Sequence, residues 1–349
     1  MKILFLDGTK GFYPNRLNEK PTGGILTSLT HIPRLLVKAG HDVTVASTHK
    51  VNETIEGVKY IGDLIEKNVW DVVVFNRNFL ERDMVKFFKD SYKVWWLHDV
   101  VDHRYMKDDS YTQVNHVIAL SQYQADSYSD FYGLPLDNFS IIPNGVDKSI
   151  FYPGDEPRDR NLYVIGSAPI KGLFPVEFAF NNMRRLNPDF ELRAYVGDSL
   201  HEIALTDAEN ARIDALKKAG ANFLPPIPQK ELADVFRSAW ALLMPSHYPE
   251  QCSNILIQAL ACGLPVITSP IGSAPEYITN CVNGRITKTT SSDWYYWWFD
   301  YARCCAETYT DTKLHRFMSE NAPKGILSWE DIGKKWNEML LVNARKEAV

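Results

Sequence analysis

The sequence predicts an α/β protein built from two doubly wound, parallel-sheet domains. Three observations lead there. Strand-length apolar runs alternate with amphipathic helical stretches, the pattern of βαβ units whose strands must lie parallel. The alternation is interrupted by a polar, Pro-rich stretch, Phe151–Arg160 (FYPGDEPRDR), and then restarts. The 349 residues correspond to about two domains at roughly 150 residues each.

The elements follow in order. Lys2–Leu6 (KILFL) has strand length and is followed by a Gly-, Pro- and Lys-containing loop up to Gly24. Ile25–Ala39 places Ile25, Leu29, Ile32, Leu35 and Leu36 on one helical face, with Pro33 as a flaw in the pattern. Gly40 stops this helix, and His41–Ser47 is the next strand. Further strands are expected at Asp71–Phe75, Tyr92–Leu97, His116–Leu120 and Phe139–Ile142, with helices such as Glu81–Phe88 and Gln122–Phe131 between them. Past the Pro-rich stretch, strands are expected at Leu162–Ile165, Leu192–Val196, Phe223-Leu224, Ala241–Met244 and Pro265–Thr268, and helices at Lys230–Ser238 and Ile255–Ala261.

Composition excludes several classes. Hydrophobic residues make up 45% and charged residues 23%, enough apolar material for a large core and against intrinsic disorder. The formal net charge of −5 argues against a general nucleic-acid binder, whose footprint would be basic. The 5 cysteines include no CxxC, so a disulfide framework or zinc module is not expected, and a reducing, cytoplasmic setting is. The apolar run after Lys2 is too short for a signal h-region, and no run approaches the roughly 18 apolar residues of a membrane span.

In open α/β sheets, ligands bind beyond the carboxyl ends of the strands, so residues just after strands are the candidates. Gly23-Gly24 stands before the first helix, where bare backbone and free amides can approach an anion; a simple turn explains the pair equally. Neither GxGxxG after that strand nor GxxxxGK[ST] is present. Gly166-Ser167-Ala168-Pro169-Ile170-Lys171-Gly172 combines small residues with one cation able to offset a pyrophosphate. His98, at a strand end, can hydrogen-bond a sugar or phosphate oxygen; Asp99, Asp102 and His103 nearby match no standard metal spacing. The richest stretch is Pro245–Glu276, where a strand ends at Pro245-Ser246, a loop presents Glu250, and Ser253-Asn254 start a helix that carries Gln258. A capped αβ unit with no ligand satisfies the same pattern.

Taken together, these residues resemble a known family. The run SxYPE-x7-Q-AxACGxPVI, with Gly272 and Glu276 behind it, is similar to the donor-site signature of retaining GT-B glycosyltransferases of family 4 (glycosyl transferases group 1). Ile142–Asp147 (IPNGVD) followed by Phe151, Gly40–Val45 (GHDVTV), Ala119–Tyr123, and the tail Ser328-Trp329-Glu330 with Trp336 resemble further elements of that family in the same order. The resemblance implies two Rossmann-like domains facing across a cleft: residues 1–153 on the acceptor side, 154–325 for the nucleotide-sugar donor, and 326–349 as a helix crossing back to the first. It implies an enzyme that moves a hexosyl or related sugar from a nucleotide-diphosphate sugar, UDP- or GDP-linked, to a glycan, lipid-linked or small-molecule acceptor. Configuration would be retained, with no metal and no tightly bound cofactor.

Carried over residue by residue, the catalytic set would be His98, Lys171 and Glu250. The donor-binding set would be Gly23, Gly24, Asn144, Ser167, Lys171, Ser246, Glu250, Cys252, Ser253, Asn254, Ile255 and Gln258. Two departures stand out. Gln258 occupies the place of the family's second acid, which holds the ribose, and Ser167-Ala168 stand where an Arg is usual. The rival readings are a GT-B sugar-nucleotide epimerase or phosphorylase, and a non-catalytic sugar-nucleotide-binding protein. Trp294, Trp297, Trp298 and Tyr301 form an aromatic helix face that either packs on the second domain or meets a glycan, a lipid-linked acceptor or a membrane surface. Lys10, Arg16 and Lys20 could meet an acidic acceptor or be solvated, and Asn76-Arg77-Asn78 could line the acceptor side. Oligomeric state is not encoded legibly.

Overall fold

The computed structural model describes residues 1–8, 17, 21–47, 52–62, 69–77, 82–101, 109–166, 172–196 and 205–344. The chain divides into two compact units, the first comprising Met1–Arg16, Gly24–Gly145 and Leu327–Val349, the second Leu17–Gly23 and Val146–Ile326.

In the first unit the strands are β1 (Lys2–Asp7), β2 (Asp42–Ser47), β3 (Glu53–Ile55), β4 (Val58–Ile61), β5 (Val72–Asn76), β6 (Tyr92–Trp96), β7 (His116–Ala119) and β8 (Phe139–Ile141); its helices include α1 (Gly24–Lys38), α2 (Arg82–Phe87) and α3 (Gln122–Tyr132). They form one 8-stranded sheet ordered β3-β4-β2-β1-β5-β6-β7-β8, parallel throughout except for the antiparallel β3–β4 pair. Strand β1 is central, with Leu4 opposite Thr44 on one side and Val73 on the other. Its alternate residues feed two cores, which is why the run is apolar without a break. Ile3 and Phe5 join Leu29, Ile32 and Leu36 of α1, whereas Leu4 and Leu6 join Phe75, Phe88, Trp95 and Tyr128.

Helix α1 runs through Pro33, which is buried with Leu29, Ile32 and Leu36. The apolar face outweighs the missing amide, so the expected flaw does not end the helix. Helix α3 has its signals in full: the Ser121 hydroxyl accepts the Gln124 amide, and Gly133 closes the other end at φ 66°. The β3–β4 hairpin escaped the sequence reading.

The second unit contains β9 (Asp159–Ile165), β10 (Glu191–Tyr195), β11 (Asn222–Leu224), β12 (Ala239–Met244), β13 (Val266–Thr268) and β14 (Gly284–Ile286). Its helices are α4 (Phe174–Leu186), α5 (Asp207–Lys218), α6 (Gln229–Ser238), α7 (Asn254–Ala261), α8 (Ala274–Tyr277), α9 (Trp294–Thr310) and α10 (Thr312–Asn321). Its 6-stranded sheet, ordered β11-β10-β9-β12-β13-β14, is parallel throughout. The order reverses between β9 and β12, the position where doubly wound sheets open a crevice.

The segment read as a linker is not one. Phe151 is 1% exposed and packs on Phe236, and the Arg158 guanidinium donates to the carbonyls of Phe236, Ala239 and Cys262. The boundary therefore falls earlier than residue 153. Helix α11 (Trp329–Asn343) starts with a capping box formed by Ser328 and Asp331 and places Trp329, Ile332, Trp336 and Leu340 in the core beside Phe5 and α1. A Cβ on Gly145 would lie 2.7 Å from the Trp329 backbone, so this contact requires glycine.

Buried histidines, among them His116 and His315, shape the response of the fold to acid. His116, on β7, bonds Ser140 Oγ at 2.8 Å; His315, on α10, donates to the Trp240 carbonyl at 2.8 Å and stacks on that indole. Burial lowers both from 6.5 to about 4. The rings stay neutral in the folded chain while an unfolded histidine protonates near 6.5. Stability is therefore lost as pH falls from about 6.5 toward about 4, by up to about 1.4 kcal/mol per pH unit for each ring. Urea unfolding followed by tryptophan fluorescence across that range should show the decline, and His116→Gln should flatten it.

Candidate functional site

In the second unit, the carboxyl ends of β9, β12 and β13 stand side by side, with Leu242 opposite Val164 and Met244 opposite Thr268. The chain beyond each is short of side chains where it meets its neighbour. Gly166, directly after β9, leaves no room for a Cβ against Ile255 in the first turn of α7. Gly172, at φ +134°, leaves none against the Pro245 carbonyl beyond β12. Gly272, at φ +63°, would place a Cβ 2.5 Å from the Glu250 carbonyl oxygen and 2.7 Å from its nitrogen. These three approaches hold the loop between β12 and α7 from both sides.

That loop carries Glu250. Its carbonyl accepts the Ser273 amide at 2.8 Å, and its own amide donates to the Tyr248 carbonyl at 2.9 Å. The position of Glu250 is thus fixed through its backbone, and its side chain is half-buried. Ser246 is buried, and its hydroxyl closes the turn by donating to the Tyr248 carbonyl and accepting the Tyr248 amide. Ser253 precedes α7 as the N-cap residue, but its hydroxyl makes no cap bond and contacts Met244 Sδ at 3.5 Å instead. Among the described residues, the Ser253 side chain thus leaves the first turn of α7 uncapped, and the Ile255 side chain of that turn lies against Gly166. Amides in such a turn, with the helix dipole behind them, attract anions. Cys252 Sγ lies 3.2 Å from the Tyr277 hydroxyl, and the Gln258 side chain on α7 is half-buried with no hydrogen bond to a described residue.

In the first unit, His98 follows β6 at the carboxyl edge of the sheet. Its ring lies 4.5 Å from that of Trp96, and its Nε2 is buried with no partner among the described residues. Desolvation pushes its pKa from 6.5 down to about 3, against the opposing pull of Asp99, so the ring is neutral. It can offer one N–H or one lone pair to a ligand, but no positive charge. Arg77, at φ 54°, is engaged in a two-pronged ion pair with Asp99, 2.8 and 3.0 Å, and Gln124 holds the Asp99 carbonyl at 2.9 Å. Asn76 is buried and donates to Asp7 at 2.8 Å. Asn76 and Arg77 thus brace the carboxyl edge of this sheet.

Gly24 begins α1, and the Ser28 hydroxyl shares its proton between the Gly24 carbonyl (3.0 Å) and Asn144 Oδ1 (2.8 Å). Asn144 is 6% exposed and ties the end of this unit to the start of α1. Its visible role is structural. A Cβ on Gly23 would meet no atom within 4 Å, so packing does not demand glycine there.

The structure thus gathers Ser246, Glu250, Cys252, Ser253, Asn254, Ile255 and Gln258 on one loop and helix start, and Gly24 with Asn144 in the first unit. Lys171, Ser167, Asn78, Asp102, His103, Lys10, Arg16 and Lys20 lie outside the described residues. Gly166 and Gly172, although part of a loop singled out for its cation, were not read as packing glycines. Their partners are distant in sequence, and only a glycine next to a strand end hinted at them. Among the described residues, no helix is long and apolar enough to cross a membrane.

A protein-family model described as Glycosyl transferases group 1 matches residues 179–324. A probable sucrose-phosphate synthase of Thermosipho melanesiensis is 33% identical over 175 residues, 48% of this chain and 41% of that protein. A D-inositol 3-phosphate glycosyltransferase of Paenarthrobacter aurescens is 28% identical over 245 residues, 67% of this chain and 57% of that protein. The chain spans about half the length of these curated relatives. Among solved structures, Anabaena Alr3699/HepE in complex with UDP-glucose superposes with a TM-score of 0.70 at 17% identity, over 98% of this chain and 100% of that one. The likeness establishes the fold as GT-B, with two Rossmann-like parallel-sheet domains.

The glycine contacts can be tested separately. Gly272→Ala should destabilise the second unit by about 1–3 kcal/mol, because a strained φ is combined with a backbone clash. Gly23→Ala should leave stability unchanged. Urea denaturation of the two variants against the parent protein makes the comparison.

Proposed function

We propose that this protein is a retaining, metal-independent glycosyltransferase that takes a hexosyl or related sugar from a nucleotide-diphosphate donor and passes it to a glycan, lipid-linked or small-molecule acceptor. The observation that carries the reading is the start of α7, where Ser253 makes no cap bond and Ile255 lies against Gly166 at the end of β9, next to a loop that fixes Glu250 through its main chain. The order of sequence motifs and the match to Glycosyl transferases group 1 support it.

The chemistry follows from where charge develops. As the glycosidic bond to the diphosphate breaks, the sugar gains positive character and the departing phosphate negative character. Amides at Ser253–Ile255, with Lys171 as the cation, stabilise the departing group most when its charge is greatest. Glu250 accepts hydrogen bonds from hydroxyls of the donor sugar and sets its orientation. His98, neutral, contacts the transferred sugar through a hydrogen bond without repelling the developing cation. Gln258 holds the ribose by hydrogen bonds with no charge, and Gly24 approaches the diphosphate through its backbone. UDP-sugars are the first donors to test, since a structural neighbour is a complex with UDP-glucose.

Thermal unfolding with UDP or GDP, followed by hydrolysis and transfer assays over a panel of sugar nucleotides, tests the reading. One nucleoside diphosphate should raise the midpoint, by about 2.7 kcal/mol of stabilisation at a hundred times its Kd. If neither protects and no sugar nucleotide is turned over, the proposal fails.

Two substitutions probe the roles. Glu250→Ala should fold normally, because the loop is held by its backbone. It should lose roughly tenfold to a hundredfold in kcat/KM, the worth of a charged hydrogen bond. Gln258→Glu should tighten nucleoside-diphosphate binding roughly fivefold by converting a neutral hydrogen bond to a charged one, measured by calorimetric titration. Binding with no turnover on any acceptor, in both the parent and this variant, would instead identify a sugar-nucleotide-binding protein.

A further inference from the structure

Within the second unit, Phe174, His247, Ser291, Trp294, Trp297 and Trp298 enclose a cavity of about 400 Å³. Its walls are fixed before any ligand arrives. Trp297 is 2% exposed and donates from Nε1 to Ser269 Oγ at 2.8 Å. Trp298 stacks on Phe174 with centroids 6.3 Å apart, and Arg212 sits 3.2 Å from the Phe174 centroid while paired with Glu177. Trp294, 58% exposed, meets Trp298 edge-on at 5.1 Å and forms the mouth with exposed Tyr295 and Tyr296 beside it. The cavity adjoins the loop of Glu250, since His247 belongs to that loop and lies against Gly172.

We propose that this cavity binds a neutral pyranose ring. The lining is aromatic, with Trp294 exposed and Trp298 half-buried, and aromatic surface suits the C–H face of a sugar, while rigid walls lose little entropy on binding. Polar groups are few and peripheral: His247, Ser291, and the Trp298 indole N–H, which has no acceptor among the described residues and would be satisfied by a hydroxyl. Charge argues against an anionic lipid surface. Among the described residues the lining holds no Lys or Arg, and on α9 Arg303 is paired with Asp300 and Glu307, so this helix lacks the basic polar face of an interfacial anchor. That the ring belongs to a glycan acceptor rests on the glycosyl-transfer reading; the binding itself does not.

The test is a tryptophan-fluorescence titration of the full chain with maltotriose, cellotriose, chitotriose and mannotriose, without nucleotide. Flotation with mixed phosphatidylcholine–phosphatidylglycerol vesicles runs in parallel. At least one oligosaccharide should give a saturable response, weakened roughly tenfold in Trp294→Ala, a substitution at the exposed mouth that leaves the buried wall intact. Protection by UDP or GDP should be the same in that variant, and the protein should not float with vesicles. No saturable response to any of the four, a response unaltered by Trp294→Ala, or flotation abolished by Trp294→Ala would each overturn the proposal. Nucleotide protection without glycan binding removes the cavity proposal and leaves the transfer reading; glycan binding without nucleotide protection does the reverse.

Discussion

The close approach of main chain to main chain where side chains are missing is the constraint on which the carboxyl edge of the second sheet depends. Gly172 and Gly272 each stand where a single methyl group would strike neighbouring main chain, whereas at Gly166 it would strike the end of the Ile255 side chain. The first two contacts are unforgiving, because backbone cannot rotate aside as the end of a side chain can. Together with the Ser246 hydroxyl, which closes the turn on Tyr248, they fix the loop carrying Glu250 relative to the strands. A functional site needs its supporting shell held in this way.

Electrostatics divide along the same lines. In the first unit, Arg77 is committed to Asp99, and the half-buried His98 is kept neutral by desolvation. Neither adds a free positive charge at the edge of that sheet. In the second, the uncapped turn of α7 offers partial positive charge from amides, which need no counter-ion and no desolvation of a full charge. Fixed dipoles of this kind suit the departing phosphate of the proposed reaction.

The strands were legible because a parallel strand buried on both faces must be apolar without interruption, and runs such as Ile3–Leu6, Val72–Val74 and Ala241–Met244 have no other reading at that length. The β3–β4 hairpin was missed because its exposed edge alternates polar and apolar residues over a span too short to register. The domain junction was misplaced because polar composition outvoted a single buried aromatic, Phe151, and because Arg158 looks like a surface residue until its four carbonyl partners, those of Phe236, Arg237, Ala239 and Cys262, are seen. Glu250 and the helix start were legible as a strand–loop–helix pattern. The structural duties of Asn144, Ser246 and Arg77 were not, since each depends on partners fixed only by tertiary packing.

The return of the chain to the first unit has a consequence for biosynthesis. Phe5 shares its core with Trp336 and Leu340, which leave the ribosome only after the strands of the second sheet. The groove that α11 fills must therefore stay open through synthesis of Val146–Ile326, the larger part of the second unit. The half of the molecule translated first is thus the half completed last, and during that interval its unfilled apolar groove is the surface most in need of a chaperone.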